Sequence, residues 1–101
     1  MRGARILPAA AADVAEVANW YRGNTSAELA DQFENAFFSA VEQLGRTGEV
    51  HRVVYADFRR VLLRPFPYAL YYRHHGQVFV VALIIHAARD PEMVIKLLSC
   101  R

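Results

Sequence analysis

The stretch from Val78 to Ile85, Val-Phe-Val-Val-Ala-Leu-Ile-Ile, carries no polar residue in eight positions. Successive side chains of a strand point to opposite faces, so a strand of this composition has to be covered on both sides. It is far too short to cross a membrane as a helix, which takes about 20 apolar residues. The chain must therefore build a sheet whose central strand lies between two apolar layers.

Two helices that could form one such layer are legible upstream. Arg2 to Leu7 reads as a short strand ended by Pro8, and proline is tolerated at a first helical position because its missing N–H would be unpaired there anyway. Val14, Val17, Ala18 and Tyr21 then fall at helical spacing, and Gly23-Asn24 ends that helix. Thr25 and Glu28 have the spacing of a capping box, which predicts that Thr25 opens the second helix. Ala30, Phe33, Phe37, Ala40, Val41 and Leu44 form its apolar stripe, and the helix is expected to stop at Gly45 or Gly48. The short connection makes the pair an antiparallel hairpin.

The second half reads as strands. Val61 to Leu63 is one, flanked by arginines, and Phe66 to Arg73 is another, with Phe66, Tyr68, Leu70 and Tyr72 on one face. His74-His75-Gly76-Gln77 is the expected turn into the Val78–Ile85 strand. Asp90-Pro91 supplies an N-cap and first residue for a short last helix, in which Val94, Leu97 and Leu98 share a face. The order is β-α-α-β-β-β-α, an α+β fold with a helical hairpin packed on a small, mainly antiparallel sheet. A chain of 101 residues is expected to form one domain, residues 1–101.

Charge is unevenly distributed. Residues 1–50 hold four arginines against seven acids, a net of −3, whereas residues 51–101 hold eight bases against three acids, a net of +5. Eleven of the twelve bases are arginine, the side chain suited to bidentate recognition of phosphate or carboxylate, although an arginine-rich codon bias would produce the same count. Arg59, Arg60, Arg64, Arg73 and Arg89 lie on or beside the predicted sheet and are the candidate surface for an anionic target or an acidic partner. Tyr68, Tyr71, Tyr72, Phe66 and Phe79 are expected to fill the core between sheet and helices rather than stack on bases, and Trp20 and Tyr21 to join the core or the hairpin contact. The lone Cys100 cannot form an internal disulfide, and no Cys/His spacing suggests a metal, so neither metal nor cofactor is expected. With no apolar leader visible after Arg2 and Arg5, the chain is expected to be cytoplasmic.

Several of these features together resemble the RelE/ParE toxin superfamily of type II toxin–antitoxin systems. They are Trp20-Tyr21 closing the first helix, the Phe33/Phe37/Ala40/Val41/Leu44 stripe, Arg59-Arg60 opening the first of the last three strands, Phe-Pro-Tyr-Ala-Leu-Tyr-Tyr-Arg from Phe66 to Arg73, and the strand and exit from Val80 to Glu92 with His86-x-x-Arg89-Asp90-Pro91. The resemblance implies a plasmid-stabilisation type of toxin, bound and neutralised by a cognate antitoxin and meeting operator DNA only through it. RelE-type members cut mRNA on the ribosome, whereas ParE-type members poison DNA gyrase.

Residues divide the two branches. Cleaving RNA without a metal needs a general base, cations and an acid around one phosphate. Where RelE-type nucleases keep a catalytic arginine this chain has Tyr68, and where they keep a tyrosine on the last helix it has Ile95; Arg89 alone matches. The resemblance therefore favours the ParE branch, a gyrase inhibitor that is not an enzyme. The alternative is a ribosome-dependent mRNA endonuclease using Arg89 with His86 or Arg60, although His86 at a strand end is also placed to hydrogen-bond backbone. A second alternative is a non-catalytic scaffold that binds antitoxin.

Overall fold

The computed structural model describes residues 3–101; Arg2, placed at the start of the first predicted strand, lies outside the described residues. The elements are β1 (Gly3–Ile6), α1 (Pro8–Asn24), α2 (Ala27–Thr47), β2 (Val53–Tyr55), β3 (Phe58–Leu62), β4 (Tyr68–His75), β5 (Val78–His86) and α3 (Pro91–Ser99). The sheet order is β1-β5-β4-β3-β2; β1 runs parallel to β5 and the other pairs are antiparallel.

The α+β architecture is the expected one, with one strand more. Val53-Val54-Tyr55 joins β3 through the tight turn Ala56-Asp57, in which Ala56 takes the left-handed φ of 50°. Three residues are too few to show alternation, and no glycine marks the turn, so nothing local announces this strand. β3 also starts earlier than expected, at Phe58, which places Arg59 and Arg60 inside the strand. The turn before β5 is tighter than expected. His74 and His75 belong to β4, and Gly76, with φ of 63°, makes the reversal.

The predicted capping box does not form. Helix α1 runs through Asn24, and both the amide and the hydroxyl of Thr25 donate to Tyr21 O at 2.8 Å, closing α1. Ser26 is the cap of α2, its Oγ accepting from Leu29 N at 3.1 Å. Glu28 is then the second residue of the helix instead of the third, too early to reach back to the cap. The helix also passes through Gly45 and ends at Thr47, with Gly48 as its cap. Asp90 does cap α3, accepting from Glu92 N at 3.1 Å, with Pro91 in the first turn.

Two cores flank the sheet. On the hairpin side, Ala10, Val14 and Ala18 of α1 and Ala30, Phe33, Phe37 and Leu44 of α2 cover Phe66, Leu70, Tyr72, Phe79, Val81 and Ile84. On the other side, Val94 and Leu98 of α3 cover Phe58, Ala69, Tyr71, Ala82 and Leu83. The β5 strand is thus buried from both faces, as its composition demands. Its alternation breaks where the register with β4 shifts, Tyr71 opposing Leu83 but Tyr72 opposing Val81. The extra residue, Ala82, is a bulge that sends Leu83 to the α3 side and Ile84 to the hairpin side. Trp20 departs from expectation: it is 54% exposed, edge-on to Tyr21, while Tyr21 reaches Phe33 and Phe66.

Candidate functional site

The sheet separates the arginines that the sequence groups together. Arg59 pairs with Tyr72 and Arg60 with Tyr71, and neighbouring residues of a strand point to opposite faces. Arg59 turns to the hairpin side, where its Nη1 donates to Glu49 O at 2.9 Å and His51 O at 2.7 Å, holding the connection between α2 and β2. Beside it the Tyr72 hydroxyl donates to Gly48 O at 2.6 Å. Burial pushes the Tyr72 phenol up to about 12, against the opposing pull of Arg59. Arg64 is exposed between β3 and β4, next to Ser39 and Gln43 of α2. Arg73 lies at the far end of the α3 face, 3.3 Å from Asp57 and with its guanidinium 4.6 Å from the centre of the Phe58 ring.

Arg60 and Arg89 are brought together. They line one cavity of about 210 Å³ on the α3 side, walled by Val54, Tyr55, Tyr71 and Ile95. The Nε of Arg60 is buried without a hydrogen-bond partner, and its Nη2 reaches Ala87 O at 3.5 Å. Arg89 is exposed and its Nη1 approaches Met93 Sδ at 3.3 Å. Among the described residues neither guanidinium forms an ion pair with a carboxylate. Among the described residues, no histidine, aspartate or glutamate lines this cavity. Two cations and two phenols in an apolar frame can hold an oxyanion through charge-assisted hydrogen bonds.

The other nuclease candidates stand elsewhere. His86 lines a neighbouring cavity of about 440 Å³ between α1 and α3, together with Tyr68, Trp20, Asp13 and Arg101; Arg89 borders this cavity too. The His86 Nδ1 accepts from Ala88 N at 3.1 Å, and its ring lies edge-on to Tyr68 at 5.4 Å, so one nitrogen is committed to the strand exit. Ile95, 39% exposed, faces the Arg60–Arg89 cavity, whereas Tyr68 faces Phe33 and the hairpin.

Sequence reasoning missed Arg5 and Arg101. Arg5 and Arg73 both pair across the sheet with Val80, one from each side, and with Arg101 they rim an open groove of about 740 Å³ floored by Val78 and Val80. The alternation of Arg5 with Ala4 and Ile6 is a local signal of an outward side chain. The parallel pairing that sets it in the same row as Arg73 has no local signal at all. Among the described residues no group of three His, Cys, Asp or Glu side chains could hold a metal ion, and no helix is long and apolar enough to cross a membrane.

No protein-family model matches this chain, and no curated protein matches it. Among solved structures, a chain of the chromosomal ParDE toxin–antitoxin system of P. aeruginosa superposes with a TM-score of 0.77 at 19% sequence identity, over 85% of this chain and 96% of that one. The helical hairpin on a five-stranded mixed sheet is the RelE/ParE-like fold.

Proposed function

We propose that this chain is the toxin of a type II toxin–antitoxin pair, of the ParE-like kind, inhibiting DNA gyrase in the cytoplasm and neutralised by a cognate antitoxin. The observation that carries this reading is the superposition on a chain of the ParDE system across nearly the whole fold. The chemistry of the Arg60–Arg89 cavity is in keeping with it. The cavity can bind an anion but is lined by no histidine or carboxylate to move a proton, and the position of the nuclease tyrosine is held by Ile95. A gyrase inhibitor needs a complementary surface instead of a reacting centre. Arg60 and Arg89 in their cavity, and Arg5 at the rim of the groove over Val78 and Val80, supply cationic groups for such contacts.

The convergence of Arg60 and Arg89 favours one second reading, a ribosome-dependent mRNA endonuclease in which two guanidiniums stabilise the phosphate and His86, in the neighbouring cavity that Arg89 also borders, takes the proton of the attacking 2′-hydroxyl and returns it to the leaving oxygen. Purified chain, freed of any bound protein, separates the two in parallel assays. The expected result is inhibited supercoiling with trapped cleavage complexes and intact mRNA on programmed ribosomes. Site-specific cuts in A-site mRNA with unaffected gyrase would reverse the order of the readings.

A further inference from the structure

We propose that the Arg60–Arg89 cavity is a carboxylate socket for an acidic side chain on an extended partner segment that adds to the open edge of β2. Read within the toxin function proposed above, that segment belongs to the neutralising protein.

Three observations converge on it. First, β2 is the last strand of the sheet and bonds only to β3, so its outer backbone groups are free to pair with another strand. Second, its side chains suit a partner more than water. Val53 and Val54 are 43% and 47% exposed, and this edge carries neither the proline nor the inward charge that commonly protects one. Third, the cavity opens beside this edge: Val54 and Tyr55 form one wall, Ile95 and Pro91 of α3 the other, and the two guanidiniums stand inside.

The unsatisfied Arg60 Nε defines the chemistry. A buried guanidinium N–H without an acceptor is costly, and an incoming carboxylate that takes it gains a charge-assisted bond while relieving that cost. An added strand would lie about 10 Å from β3, two strand spacings, a gap that a glutamate and an arginine side chain span together. Its alternate side chains would point to the α3 face, so apolar and acidic residues in alternation would meet Val53 on one side and the socket on the other.

The same geometry argues against other occupants. At about 210 Å³ the cavity is below the roughly 300–1,000 Å³ of sites that enclose small molecules. Tyr71 is buried and one face of Tyr55 is turned to Phe58, so the cavity lacks the row of open ring faces on which successive bases stack. A second copy of this chain pairing through β2 would bring Val53, Val54 and Tyr55 to the mouth, with no carboxylate among them.

The test uses the full chain, labelled for NMR, and three probes: a capped peptide alternating valine and glutamate, its valine–glutamine counterpart, and a short single-stranded RNA. The glutamate peptide should shift the Arg60 Nε–H and the amides of Val53 to Tyr55 together, and the glutamine peptide should bind weaker by roughly tenfold or more. Arg89→Gln, at an exposed position, should weaken the glutamate peptide comparably, and Arg60→Lys should do so while keeping a cation at the site. Equal binding of both peptides, or no movement with any probe, would overturn the proposal. Movement of Arg60 with RNA alone would overturn it in favour of a nucleic-acid site. None of these outcomes depends on gyrase or on growth arrest, so failure of the socket and failure of the toxin reading are read separately.

Discussion

Asp13 on α1 and Arg101 beyond α3 form an ion pair that stands in for a neighbouring strand. Pairing of β1 with β5 ends at Ile6 opposite Val81, followed by Leu7 N donating to Val81 O. Past that point Ala82 O accepts from Arg101 Nη1 at 3.0 Å, and Ile84 N donates to Asp13 Oδ2 at 3.1 Å. The two side chains bind each other through both carboxylate oxygens, and each is only 17% exposed. The bulged edge of β5 is therefore satisfied by side chains where β1 falls short.

Removing the carboxylate should be expensive for this reason. Asp13→Ala leaves a mostly buried guanidinium and the Ile84 amide without partners, with an expected loss of about 2–4 kcal/mol in urea unfolding. Asp13→Asn keeps an acceptor for Ile84 and should lose about half as much. An Asp13→Ala change within about 0.5 kcal/mol of the parent would show that the pair contributes nothing net.

Tyr72 makes an alkaline prediction. Its folded value of about 12 lies above the ordinary 10.0, so the folded state holds the phenolic proton more tightly than the unfolded chain. Its contribution to stability is fully present below about pH 10 and is lost as pH rises from there through about 12. Tyr72→Phe strips Gly48 O of its donor and should cost about 1–2 kcal/mol at neutral pH. The gap between parent and variant should close across that alkaline window; a gap constant with pH would refute the assignment.

Gly48 itself admits no side chain. A Cβ there would lie 2.5 Å from the Phe79 ring and 2.6 Å from Leu44 O. Gly48→Ala should cost about 1–3 kcal/mol by pushing the ring into an already filled core. A thermal melt unchanged by this substitution would mean that the ring has room to move.

Arg59 in β3 and Arg89 in the connection from β5 to α3 should behave in opposite ways. Arg59→Ala frees the carbonyls of Glu49 and His51 and should lower stability by about 1–3 kcal/mol. Arg89→Ala removes an exposed cation and should leave stability within about 0.5 kcal/mol while weakening growth arrest and gyrase inhibition. Wild-type potency of the Arg89 variant would exclude this cavity from the target surface.

Helix capping offers a direct comparison of the expected and observed geometry. Ser26→Ala should destabilise by about 1 kcal/mol, and Thr25→Ala by only a few tenths. The reverse ranking would restore the capping box.

What the sequence made legible follows from how local each signal is. The doubly apolar β5, the Phe33–Phe37–Leu44 stripe and the Asp90-Pro91 cap each lie within a few residues, and all three stand in the structure in the roles they suggested. Strand β2 was not legible, because three residues carry no period. The Arg60–Arg89 meeting depends on where β3 begins: once the strand starts at Phe58, the two-residue period alone sends Arg59 and Arg60 to opposite faces. The Asp13–Arg101 pair joins residues 88 positions apart, a contact with no trace in local composition.

The parallel pairing of β1 with β5 also has a consequence for how the chain is made. Gly3 lies opposite Val78, so the first strand is synthesised long before the strand it pairs with. Helices α1 and α2 emerge early too, while the β4 and β5 faces that Phe33 and Phe37 cover are still to come. Contacts this distant in sequence form late and slow folding. From the completion of α2 at Thr47 until β5 is made, the growing chain therefore presents a bare apolar helical hairpin, a species prone to aggregation until the central strand arrives to cover it.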